Sequence, residues 1–210
     1  MRQAGLIAGA AAAALVAAGA ITYAVAQDGD GSGGTPSAES ADAGFARDMA
    51  VHHQQAVEMS YIVRDRTKDE EVRRLAYDIA QTQANQRGMM LGWLDLWGLP
   101  KVSSEPPMTW MDMGDMGDTA SGKDGALMPG MATNSEMKKL QGLSGRQAEV
   151  FYLQIMTDHH KGGVHMAQGC VEQCAVGVEK RLAQGMVEAQ ESEIKLMADM
   201  LKERAAAARS

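Results

Sequence analysis

Apolar residues recur at helical spacing from Phe45 to about Arg66, a stretch without Pro or Gly, and that period predicts a helix with one face turned to a core. Thr67-Lys68-Asp69-Glu70 then offers a capping residue and an acidic first turn for a second helix, which runs to about Trp97 before Gly98-Leu99-Pro100 stops it. A similar pattern returns later: a helix from Ser144 to about Gly169, a turn around Cys174 and Gly177, and a helix from Val178 to about Arg204. Residues 45–97 and 141–205 thus form two helical hairpins, separated by a Gly-, Pro-, Asp- and Met-rich stretch, residues 98–140. Its length and composition predict a long, mobile connection. A different pattern occupies residues 1–26: Arg2 precedes an almost uncharged apolar run from Ala4 to Ala26 that ends in the small-x-small pattern Ala24-Val25-Ala26. Such a run is a secretory signal peptide or, being about the roughly 20 residues a bilayer requires, an uncleaved membrane anchor. Residues 27–44 follow as a flexible linker, and the working part lies outside the cytoplasm in either case.

The two hairpins are copies of one another. At a constant offset of 107, Met49, His52 and His53 fall on Met156, His159 and His160, and Val57 and Met59 on Val164 and Met166. Arg74-Leu75-Ala76 falls on Arg181-Leu182-Ala183, and Gln83, Met90 and Leu94 fall on Gln190, Met197 and Leu201. A helical hairpin cannot bury its own apolar face, so the copies are expected to pack together as an all-α four-helix bundle with pseudo-two-fold symmetry. Composition supports helix over strand, since the chain is 45% hydrophobic but only 4% aromatic. A net charge of −7 with no Lys/Arg cluster excludes a nucleic-acid surface.

On a helical wheel at roughly 100° per residue, Met49, His52, His53 and Met59 share one face with Ala56 in the gap. Met156, His159, His160 and Met166 repeat that face with Gly163 in the gap, while His165 points away and is a secondary candidate. Ordinary core packing accounts for a lone His or Met. The chain has five His in all, and four of them form the same pair twice with the same Met neighbours. Thioethers select soft ions, above all Cu(I), and imidazole also serves Cu(II), so this donor set points to copper. No Glu-x-x-His occurs, which disfavours a di-iron carboxylate site. In the connecting stretch Met108, Met111, Met113, Met116, Met128 and Met131, followed by Met137, lie among Gly and Asp. They are expected to be exposed and to collect Cu(I) as secondary ligands. Gln83 and Gln190 fall on apolar faces, where holding a ligand imidazole or meeting backbone or water are equally good readings. Cys170 and Cys174 pair locally, remain free near a helix end, or bind metal.

These residues resemble the domain of unknown function 305 family of bacterial exported proteins. Its repeat is Met-x-x-His-His-x-x-Ala-x-x-Met, then Leu-Ala-x-x-Ile with Gln-x-x-Glu-Ile-x-x-Met. The second half matches at Met156, His159, His160, Met166, Leu182, Ala183, Gln190, Glu193, Ile194 and Met197, and departs at Gly163 and Met186. The approach Met128-Pro129-Gly130-Met131 is also typical of the family. The first half matches at Met49, His52, His53, Ala56, Met59, Leu75, Ala76, Ile79, Gln83 and Met90, and departs where Gln86 and Arg87 replace Glu-Ile. The resemblance implies a ferritin-like helical bundle, copper binding in some members, no established enzymatic activity, and an acid such as Glu193 behind the ligands. The expected function is non-enzymatic copper sequestration, tolerance or transfer outside the cytoplasm. Metal ions are the expected partners, with the membrane through an uncleaved N-terminus and self-association also open. The rival readings are a metal-dependent oxidase on the same ligands and a metal-independent structural or interaction module.

Overall fold

Capping chemistry sets the helix limits. In the computed structural model, which describes residues 34–111 and 123–207, α1 spans Ala41–Arg66, and the Ser40 hydroxyl accepts the Ala43 N–H at 3.2 Å. Asp69 caps α2, Glu70–Trp97, by accepting from the N–H groups of Glu71 and Val72, and Gly98 closes it in the left-handed conformation at φ 67°. The limits of α2 agree with the periodicity, as do those of α5, Gly177–Ala207. Helix α1, however, starts at Ala41, inside the stretch 27–44 expected as a flexible linker, because Ser40 caps it and Asp42 and Ala43 are buried. The fourth helix, α4, spans Gly145–Gln173 and so runs past Gly169, where the sequence suggested an end. Gly169 lies against the Met111 side chain, whose flexible methyl end would be 2.7 Å from a Cβ there.

The chain from Thr35 onward is one unit, all-helical in its described residues apart from one isolated bridge, Lys123 with Ala126. Helix α1 packs on α2, α5 on α4, and the hairpins join through α1 and α4. These two run antiparallel: Asp42 lies beside Ala175 and Val176, the Ser60 hydroxyl is 3.0 Å from that of Tyr152, and the Thr67 hydroxyl donates to Glu149 at 2.5 Å. Apolar side chains gather in two clusters, one containing Phe45, Met49, Met166 and Met186, the other Met59, Ile79, Tyr152 and Met156. No helix of the described residues is long and apolar enough to cross a membrane. The expected export or anchor segment, residues 1–26, lies outside the described residues.

In its described parts, residues 98–111 and 123–140, the connecting segment is not the open tether that its composition suggested. It holds a further helix, α3, Asn134–Gly142, started by a capping box in which Thr133 and Glu136 satisfy one another's backbone N–H. Met108, Met128, Met131 and Met137 are buried in the two apolar clusters, and Met111 packs against one of them. Full burial of one such side chain contributes roughly 1.5–3 kcal/mol, reason enough for Met to stand here without a metal. Polar anchors guide the segment into place. Asp48 accepts from the Met108 N–H at 2.7 Å and the Trp110 indole at 2.9 Å. Gln55 clamps both backbone groups of Ala132, at 2.7 and 2.8 Å. Met113 and Met116 lie outside the described residues.

The tightest contact of this segment is backbone on backbone. Met128-Pro129-Gly130-Met131 crosses α4 where Gly162 carries no side chain, and a Cβ on Gly162 would lie 2.0 Å from the Pro129 carbonyl oxygen. We expect Gly162→Ala to lower stability by about 1–3 kcal/mol through overpacking. Gly185→Ala on the open face of α5, where a Cβ meets nothing within 4 Å, is expected to raise it by about 1 kcal/mol. Thermal or denaturant unfolding of the two variants measures both effects. A Gly162→Ala protein as stable as its parent would show that the segment is not seated against α4.

Candidate metal centre

The antiparallel crossing of α1 and α4 brings the repeated His pairs together. His52 and His159 meet across the crossing with ring centroids 3.8 Å apart and ring planes at 33°. Consecutive helix positions differ by roughly 100°, so the second His of each pair turns to its own hairpin partner. His53 Nε2 lies 2.8 Å from Gln86 Oε1 on α2, and His160 Nε2 lies 2.6 Å from Glu193 Oε2 on α5. All four rings are fully buried, as are Met49, Met59, Met156 and Met166. Met49 and Met166 share the apolar cluster on one side of the crossing, Met59 and Met156 that on the other.

The hydrogen bonds decide which nitrogen of each ring is free. His52 Nε2 lies 3.3 Å from the Pro129 carbonyl and His159 Nε2 3.1 Å from the His52 carbonyl. A carbonyl oxygen only accepts, so both Nε2 atoms carry the proton and donate. The Glu193 carboxylate and the Gln86 amide oxygen place the proton of His160 and His53 on the same atom. In each neutral ring the lone pair then resides on Nδ1. All four Nδ1 atoms are buried with no hydrogen-bond partner. Leaving such an atom unsatisfied costs on the order of 1–3 kcal/mol.

Burial also keeps His52, His53 and His159 uncharged. Removal from water, then the charge of His53, lowers the His52 pKa to about 3. Burial lowers His53 to about 4, against the opposing Gln86 hydrogen bond, and takes His159 well below its usual value. Buried neutral imidazoles with free Nδ1 atoms between thioether pairs fit a soft cation. In the arrangement seen, no three of the His, Cys or carboxylate donor atoms of this face lie within 4.8 Å of one another; the one such cluster among the described residues is Cys170, Cys174 and Glu179.

The structure sorts the expected supporting residues. Glu193 holds His160, and in the first hairpin Gln86, the position where the repeat lacks its acid, holds His53 in the same way. Gln83 and Gln190 do not hold the imidazoles: the side-chain oxygen of each is buried without a partner. They stand one turn before Gln86 and Glu193, and the longer reach falls to those residues. Gly163, where the first repeat has Ala56, makes room for Gln190, whose Oε1 would lie 2.4 Å from a Cβ there. Gln83, Gln86, Gln190 and Glu193 line a narrow crevice between α2 and α5. His165 stays apart, with a buried, unpartnered Nε2 and no place in a cluster of three donor atoms. Met108, Met128 and Met131 are core residues here. Sequence reasoning missed Gln86 and Pro129 because it counted identities: Gln86 is isosteric with Glu193 but not identical, and Pro129 acts through its backbone.

This pairing of like hairpins around a buried imidazole core defines an all-helical duplicated protein. The chain belongs to the DUF305 family, a domain of unknown function whose model matches residues 42–201. A crystal structure of a candidate secreted DUF305 protein from Streptomyces coelicolor is 76% identical, with a TM-score of 0.73, covering 80% of this chain and 96% of that one. A DUF305 fragment from Deinococcus radiodurans is 29% identical, with a TM-score of 0.64 over 78% of this chain and 96% of its own. CopM in its Cu(II)-bound form has a similar fold, with a TM-score of 0.59 at 21% identity over 78% of this chain and 97% of that one. CopM in its Cu(I)-bound form has a TM-score of 0.56 at 19% identity over 77% and 96%. No curated protein matches the chain.

The tautomers are open to direct observation. Nitrogen-15 NMR of the metal-free protein at neutral pH should show the Nε2–H tautomer at His52, His53 and His159. His52 and His53 should remain neutral as the pH falls through 6.5, the unperturbed value, toward about 4. An Nδ1–H signal at any of these three would overturn the assignment of that ring.

Proposed function

We propose that the protein binds copper ions outside the cytoplasm and stores or passes them on without catalysing a reaction. The observation that carries this reading is the fourfold repetition of one arrangement: Nε2 engaged by an oxygen, Nδ1 buried with its lone pair free. A core needing polar filler has no reason to orient four imidazoles alike and leave four acceptors unmet. The donors would be Nδ1 of His52, His53, His159 and His160, with the thioethers of Met49, Met59, Met156 and Met166. Soft thioethers with neutral imidazole favour Cu(I), and imidazole alone also serves Cu(II). Gln86, Glu193, Pro129 and the His52 carbonyl orient the rings from behind, which raises ligand basicity. Copper is here cargo, taken up through the crevice lined by Gln86 and Glu193. The scaffold for it is a ferritin-like four-helix bundle of α1, α2, α4 and α5.

Two further observations support this reading. The copper-bound CopM structures share the fold, and the Streptomyces coelicolor relative is a candidate secreted protein. An export segment at residues 1–26, cleaved or retained as an anchor, fits the same location. In this reading the residues beside the imidazoles, Gln86 and Glu193, serve to orient them, which suits a carrier; metal-dependent turnover of a substrate would instead mark an oxidase.

Replacing His52, His53, His159 and His160 together by Gln keeps polarity while removing the imidazole nitrogens. Wild type should bind copper and melt higher in its presence, by roughly 4 kcal/mol of added stability at a thousandfold excess over Kd. The quadruple variant should fold, lose the bound copper and show no copper-induced shift. Metal analysis of both proteins after dialysis, with thermal melts, checks this; an undiminished shift in the variant would remove the site from the crossing.

A further inference from the structure

Glu179 lies in the first turn of α5, fully buried, its carboxylate oxygens meeting no N–H or hydroxyl donor and its carboxyl within hydrogen-bonding reach of the Asp42 side chain. Cys170 and Cys174 form a disulfide at the end of α4, and their sulfurs and a Glu179 oxygen all lie within 4.8 Å of one another. Asp42 reaches the same corner from α1, its Oδ1 accepting from the N–H groups of Ala175 and Val176 at 3.0 and 2.7 Å. Burial, then the nearby Asp42 charge, pushes the Glu179 carboxyl up to about 9.

The duplication supplies an internal control for this corner. At the offset of 107, Cys170, Cys174 and Glu179 correspond to Val63, Thr67 and Val72, and both valines are fully buried. Packing there is met by valine and does not require a carboxylate. Asp42 corresponds to Glu149, which accepts from Arg204 at 3.2 Å. Arg204 neutralises that corner, whereas among the described residues no ion pair holds Asp42 or Glu179. One half of the molecule therefore gathers two sulfurs and two acids without an ion pair, where the other has two valines, a threonine and one acid paired with an arginine. The corner is about 15 Å along α4 from His160, at 1.5 Å per residue. It lies just under the surface, with Glu172, Gln173, Ala175 and Gly177 exposed around it.

We propose that this corner is a redox-gated site for a borderline or soft divalent cation of the zinc and cadmium class, closed by the disulfide and opened by a dithiol reductant, with Cys170, Cys174 and Glu179 as ligands. The dithiol gives up two electrons and two protons and becomes a disulfide, while the Cys170–Cys174 bond breaks and takes them up as two thiols. Cation binding then releases three protons to solvent, one from each thiol and one from Glu179. Two thiolates and a carboxylate suit zinc in donor type. Disulfide sulfurs carry no negative charge, so the oxidised corner holds no cation. Asp42 keeps the turn in place through its two backbone bonds and supplies the remaining negative field.

Full-length protein reduced with a phosphine, which is then removed, is titrated anaerobically with cadmium. Thiolate-to-cadmium charge-transfer absorption reports this site alone, because the imidazole and thioether groups carry no thiolate, and circular dichroism follows helicity. Reduced wild type should take one equivalent with helicity intact, and oxidised wild type and Cys170→Ser/Cys174→Ser should show no band. Reduced Glu179→Gln should bind roughly tenfold or more weakly, while its oxidised form melts no lower than wild type at neutral pH, since Gln replaces an uncharged acid. No band in reduced wild type, loss of helicity on reduction, or a Glu179→Gln affinity equal to that of wild type would overturn the proposal.

Discussion

The contact on which the rest depends is the crossing of α1 and α4 at His52 and His159. Two imidazole rings 3.8 Å apart need a small, accurately set separation between helices, and the neighbouring residues are chosen for it. Beside it Gly162 admits the Pro129 backbone and Gly163 admits the Gln190 side chain, and the thioethers fill the irregular space on either side. The His159 ring is tied directly to the His52 carbonyl at 3.1 Å, so that one hairpin's ligand face is oriented by the other hairpin's backbone. His52 is tied to Pro129, which couples the connecting segment to the same point. Both apolar clusters flank this crossing, and the helix ends are fixed by Asp42 at one extremity and by Thr67, Glu149 and Arg204 at the other.

Much of this is legible in the residues. Apolar periodicity with Asp69 and Gly98 locates α1 and α2, all but the first turn of α1, and the offset of 107 pairs the His faces from the residues alone. What escapes a reading by composition is the segment between the hairpins. Met beside Gly and Asp resembles a solvated chain, yet Gly130 in it serves a positive φ, 78°, and the backbone there packs closely against Gly162 of α4. Those conditions come from tertiary contact. The Thr133-x-x-Glu136 capping box was the available signal for α3. Gly169 misleads for a related reason, because a glycine packed inside a helix looks like a glycine that ends a helix. Backbone acceptors such as Pro129 leave no mark on a residue-type pattern at all.

Departures from the repeat carry as much meaning as the matches. Gln86 opposite Glu193 preserves a hydrogen bond while removing a charge, so the two imidazole pairs sit in unequal fields. Gly163 opposite Ala56 admits Gln190 to the core. Cys170, Cys174 and Glu179 opposite Val63, Thr67 and Val72 exchange packing for chemistry at one corner. The duplication built a symmetric frame, and the two halves have since specialised within it.

The central claim is that the Nδ1 lone pairs at the crossing are ligands while every Nε2 keeps its oxygen partner. A crystal structure of the copper-loaded protein, with anomalous scattering recorded at the copper edge, tests it most directly. The account predicts copper on the Nδ1 side of His52, His53, His159 and His160, with the bonds to Pro129, Gln86, the His52 carbonyl and Glu193 retained. Copper bound through Nε2 with those bonds broken, or found only away from the crossing, would contradict it.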